Sequence, residues 1–145
     1  MTAWIWLYER GVSPYAEGVT SYRYDVRTVA HARELAAALH PDAPPLDALV
    51  VVDCEYGECG RRLLISDSQA DSIERGREVA AGNWLRGGWY QGLYRGRLAD
   101  ICQWHYEVDP GTNRSYKVGT LAAKKREAEM APVGGDQLDL FGGVL

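Results

Sequence analysis

The chain has 145 residues, 46% hydrophobic and 25% charged, an ordinary globular composition that excludes wholesale disorder and leaves room for a core without disulfide or metal staples. Its formal net charge of −4 excludes a protein that simply coats DNA. No apolar run reaches bilayer length, the N-terminus lacks a basic stretch and a cleavage site, and three cysteines cannot all pair; a cytoplasmic chain without a membrane partner is expected.

Residues 3–8, Ala-Trp-Ile-Trp-Leu-Tyr, are aromatic and β-branched and predict a buried strand. Gly11, Pro14 and Gly18 mark a loop, after which Tyr22, Tyr24 and Val26 alternate at the period of a second strand over 20–26. Thr28 is a candidate cap for a helix running to His40, with Val29, Leu35, Ala36 and Leu39 as its apolar stripe and Pro41, Pro44 and Pro45 beyond its end. The run through 48–53 predicts a central strand covered on both faces. A turn over 55–60 leads to a strand over 61–66, and Ser66 or Asp67 caps a helix through about Ala81, stopped by Gly82.

Residues 83–98 carry too many glycines for a helix. Two strands, 101–108 and 114–121, flank Asp109-Pro110-Gly111-Thr112-Asn113 and predict a hairpin. A short charged helix over 121–130 follows, then Pro132-Val133-Gly134-Gly135, the composition of a flexible linker. No internal repeat is expected. The expected fold is α+β: a compact domain over 1–131 with a mixed or antiparallel sheet and two to three helices, and a flexible tail over 132–145.

Charge divides the chain into three blocks: residues 1–82 carry a net of −5, residues 83–126 a net of +5, and residues 127–145 a net of −4. The basic middle holds Trp84, Trp89, Tyr90 and Tyr94 together with Arg86, Arg95 and Arg97. Aromatic faces stack on unpaired bases and guanidiniums neutralise phosphates, so this segment, extended by Lys117, Lys124, Lys125 and Arg126, is the candidate contact with single- or double-stranded DNA. The alternative is that the tryptophans belong to the core.

Within the acidic tail, Gln137-Leu138-Asp139-Leu140-Phe141 resembles the bacterial sliding-clamp-binding motif, Gln-Leu-(Ser/Asp)-Leu-Phe, at every position. The resemblance implies a partner, not a fold: a DNA polymerase sliding clamp, and with it a role in replication, repair or a phage or mobile element. Leu140 and Phe141 would fill preformed pockets, Leu138 would add an apolar contact, Gln137 would fix register and Asp139 would face outward. The tail could instead fold back onto its own core.

Two further constellations carry candidate chemistry. Cys54-x4-Cys59 and Cys102-x2-His105 could together supply four zinc ligands, although structural sites usually show a two-residue gap in their cysteine pairs and small buried residues suit strand ends equally well. Asp53-x-Glu55, at a strand end, superficially resembles the first carboxylate pair of DnaQ-type exonucleases and could hold Mg²⁺; no later catalytic pair completes the pattern. No resident metal or cofactor is therefore expected. The leading expectation is a replication or repair factor recruited by the clamp, with a clamp-delivered metal-dependent nuclease, or an inhibitor competing with host polymerases for the clamp, as alternatives.

Overall fold

A computed structural model describes residues 2–82 and 88–120. Ala3–Glu9 forms β1, and its alternation sorts the side chains at once: Ala3, Ile5 and Leu7 enter the main core, while Trp4 and Trp6 join a separate apolar cluster with Val51 and Leu49. β1 lies between Ser21–Tyr24 (β2) and Leu46–Asp53 (β3). β3 in turn pairs with Arg62–Ser66 (β4), giving a four-stranded antiparallel sheet in the order β2-β1-β3-β4. As expected, β3 is central, with apolar neighbours on both faces.

Two helices pack on the Ile5–Val50 side of this sheet. Val29–Leu39 (α1) begins where Thr28 accepts a hydrogen bond from the His31 amide at 3.1 Å and ends before Pro41. It buries Val29, Ala32 and Ala36, small side chains that let it lie close to β1. Ile73–Gly82 (α2) begins later than the sequence predicts. The Ser66 hydroxyl is engaged by Ser68 in a tight turn, and Ser72 takes the capping role by accepting from the Arg75 amide at 3.1 Å. Gly76 sits over β3, where an added Cβ would meet Val50 Cγ1 at 2.5 Å.

These elements repeat. β1-β2-α1 and β3-β4-α2 are two consecutive ββα units, joined by antiparallel pairing of their first strands with Ile5 opposite Val50. The helix starts are tied as well: Val29 N–H donates to Asp71 O and Ile73 N–H to Arg27 O, both at 2.9 Å, around a Thr28–Ser72 bridge. The duplication is also written in the helices: Thr28-Val29 and Arg33-Glu34-Leu35-Ala36-Ala37 of the first unit match Ser72-Ile73 and Arg77-Glu78-Val79-Ala80-Ala81 of the second at the same helix positions, a repeat that sequence reasoning missed.

Two hairpins complete the described structure. Tyr90–Tyr94 (β5) and Arg97–Ile101 (β6) pair across Arg95-Gly96, both in the left-handed region, as a two-residue hairpin turn demands. The glycine-rich segment is thus partly strand. The strand predicted over 101–108 is broken: Ile101 closes β6, residues 102–105 turn, and Tyr106–Asp109 (β7) pairs with Arg114–Lys117 (β8). Ala99, Ile101 and Val118 form a small core beneath the hairpins with Tyr56, Tyr90 and Tyr94 around it. The expected helix over 121–130 and the tail lie outside the described residues. No described helix is long and apolar enough to cross a membrane.

Candidate metal centre

The turn between β3 and β4 carries Cys54 and Cys59; the turn between β6 and β7 carries Cys102 and His105. Asp100 brings these turns together. Its main chain pairs with residue 55, the Glu55 amide donating to Asp100 O and the Asp100 amide to Glu55 Oε2, each at 2.9 Å. Its carboxylate, buried from solvent, accepts a two-pronged contact from Arg77 of α2 (Nε 2.9 Å, Nη2 2.8 Å) and a hydrogen bond from the Thr2 hydroxyl. β6 is thereby held against the end of β3, and residues far apart in sequence meet.

One donor atom from each of Cys54, Cys59, Cys102 and His105 lies within 4.8 Å of the other three. Cys59 Sγ and Cys102 Sγ are 3.8 Å apart, and the Cys102 amide approaches Cys54 Sγ at 3.4 Å. Each sulfur also has beside it the backbone amide two residues further on: Tyr56 for Cys54, Arg61 for Cys59 and Trp104 for Cys102. Such amides stabilise sulfur in its anionic form. Cys54 and Cys102 are buried, whereas Cys59 and His105 are half-buried at the rim. The His105 ring stacks on Tyr56 (centroids 4.3 Å apart), and its Nε2 is buried with no hydrogen-bond partner.

The electrostatics divide the thiols. Burial pushes Cys102 up to about 12 and raises Cys54. For Cys59 burial acts in the same direction, but the Arg61 amide, the neighbouring thiols and the Arg61 charge outweigh it and bring the group below its usual value. Burial, then the Arg61 guanidinium, lowers His105, so its ring is neutral at physiological pH and keeps a lone pair to donate.

The other sequence-predicted residues are placed differently. Asp53 accepts from Trp4 Nε1 at 2.8 Å and Arg62 Nε at 2.7 Å, whereas Glu55 is engaged by Arg97 and the Asp100 amide. The two carboxylates thus serve separate ion pairs. Trp89 is buried in the main core, and burial raises Tyr90 to about 12. Tyr94 packs on Tyr56 and accepts from the Gly57 amide at 3.0 Å; Arg95 lies over the Tyr94 ring. The aromatic faces of β5 are thus largely turned to protein. Lys117 sits over Tyr90 and donates to Gly88 O. Trp84, Arg86, Lys124, Lys125, Arg126 and the peptide Gln137, Leu138, Asp139, Leu140 and Phe141 lie outside the described residues.

Sequence reasoning missed the Asp100–Arg77 pair, which no local spacing signals. It also missed the sheet face where Arg23 and Arg62 lie over Trp4 and Tyr15 meets Trp6 edge-on, although alternation in 3–8 already separates Trp4 and Trp6 from Ile5 and Leu7. No protein-family model matches this chain, and no curated protein or solved structure matches it. Its function has to be read from its own residues.

Proposed function

We propose that this chain is an accessory factor of bacterial DNA replication or repair that binds the sliding clamp through residues 137–141. The observation that carries the reading is the pentapeptide Gln-Leu-Asp-Leu-Phe, with Gly134-Gly135 before it and Gly142-Gly143 after it. A short peptide gains affinity by placing a few large side chains into preformed pockets, and Leu140 and Phe141 are suited to that role. Ordering a short segment offsets much of the contact energy, so the expected affinity is about micromolar.

The pairing of Asp53 with Arg62 and of Glu55 with Arg97 favours recruitment over metal-dependent cleavage, because a Mg²⁺ site needs carboxylate oxygens free to converge on one ion. The clamp supplies the location, and the folded domain is the cargo it holds there.

Calorimetric titration of a bacterial sliding clamp with the full chain tests this reading. Saturable binding is expected, with a loss of at least about a hundredfold in Leu140→Ala/Phe141→Ala, since anchor residues carry about 2 kcal/mol or more each. Undiminished binding by that variant, or none by the unaltered chain, overturns the proposal.

A further inference from the structure

We propose that Cys54, Cys59, Cys102 and His105 bind one zinc ion as a closed Cys3His site that fastens the two C-terminal hairpins to the four-stranded sheet. The inference stands apart from the clamp reading and shares no residue with it.

Geometry comes first. With a Zn–S bond of about 2.3 Å, tetrahedral thiolates sit roughly 3.8 Å from one another. The Cys59–Cys102 sulfur separation is 3.8 Å, and the whole donor set falls within 4.8 Å, so little contraction brings all four donors to bonding distance. The donor chemistry agrees. Three sulfurs and an imidazole are a set that zinc takes in structural sites, whereas Mg²⁺ and Ca²⁺ require oxygen.

The surroundings point the same way. An amide N–H two residues beyond each cysteine approaches its sulfur, the arrangement that stabilises a sulfur carrying negative charge in a metal site. Each ligand pair also lies on one tight turn, so the chain wraps its donors around a point. The buried, unpartnered Nε2 of His105 is otherwise costly, because buried polar atoms are nearly always satisfied.

A disulfide explains less. Joining Cys59 to Cys102 would use two of the three sulfurs and leave Cys54 and His105 gathered without a reason. With four protein ligands the site has no open position for water or substrate, so the role is structural and not catalytic. Cys54 and Cys59 lie on the turn that follows β3 of the sheet, and Cys102 and His105 on the turn that joins the two hairpins; the ion would reinforce the hydrogen bonds that already link these turns.

Metal analysis of the full chain, purified without a histidine tag under reducing conditions, tests the proposal. About one zinc per chain is expected. His31→Ala/His40→Ala, which alters the two histidines outside the cluster, is expected to keep it. Cys59→Ser and His105→Ala change half-buried ligands and are expected to weaken zinc at least about a hundredfold in competition with a chromophoric chelator, since losing even an outer-shell partner costs about ten- to a hundredfold. Should those variants fail to fold, cobalt titration of the unaltered chain still decides. Tetrahedral thiolate coordination gives intense visible d–d bands, and zinc is expected to erase them. Zinc-free protein lacking that cobalt spectrum, zinc retained at full affinity in both ligand variants, or a Cys59–Cys102 disulfide in the reduced preparation would overturn the site.

Discussion

Asp100 shows how much one side chain can organise. It is the buried charged side chain among the described residues, and it is tied to α2 through Arg77, to β1's entry through Thr2 and to the end of β3 through Glu55. Removing one partner of such a pair leaves the other's charge or polar groups without compensation. Asp100→Ala is expected to lower unfolding free energy by about 2–4 kcal/mol, below the value for a fully buried pair because Arg77 keeps some solvent contact. Urea unfolding followed by tryptophan fluorescence measures it; a change within about 0.5 kcal/mol, as at an ordinary surface site, would contradict the role given to this residue. Arg62 is a second such organiser, since it pairs with Asp53 and lies over Trp4.

At the scale of elements, α2 rests on β3 because position 76 has no side chain. Alanine there would favour the helix by about 1 kcal/mol, yet its Cβ would meet Val50 Cγ1 at 2.5 Å. Overpacking a close contact costs about 1–3 kcal/mol, so Gly76→Ala is expected to destabilise by up to about 2 kcal/mol. A rise in the urea midpoint would instead show that the helix lifts freely from the sheet. The elements that burial alone dictates were legible in the sequence: β1 and β3 from their aromatic and aliphatic runs, and α1 from its cap and stripe.

Where two local signals compete, the sequence cannot choose between them. Ser66 and Ser72 are both good caps, and only the strand pairing that keeps Ser66 in β4 decides the start of α2. β5 was hidden because Gly92 lies in its middle, where the Val118 carbonyl approaches too closely for a Cβ. The four candidate metal ligands were legible as types and spacings that could together form one set, but what brings them together was not. Cys59 and Cys102 are 43 positions apart, and the contact depends on Asp100 docking β6 onto β3, a tertiary event with no local signature.

At the scale of the whole molecule, the described residues form a duplicated ββα body and two hairpins attached to one end of it. Trp89 in the main core, the Asp100 network, the Arg97–Glu55 pair and a small tyrosine-rimmed core join the two parts, and the proposed ion would add its own bonds at that junction. Exhaustive chelation is therefore expected to reduce amide-exchange protection in β5–β8 well before it does so in β1 and β3. Hydrogen exchange with and without chelator, under reducing conditions, makes the comparison. Uniform loss across both parts would mean that they unfold as one cooperative unit.

The duplicated body also has a bearing on assembly. Pairing β1 with β3 about Ile5 and Val50 is what two identical ββα chains would do across a twofold axis, an isologous contact made here within a single chain. The association that would otherwise vary with protein concentration is fixed by covalent linkage, so the sheet centre forms equally well in a dilute cell extract and a concentrated crystal drop. At the outer margins of that sheet are β2 and β4, four and five residues long, bearing Arg23 and Arg62. Short, charged margins discourage further strand addition, so the duplication satisfies the sheet's pairing demand at its centre while its borders hold growth in check.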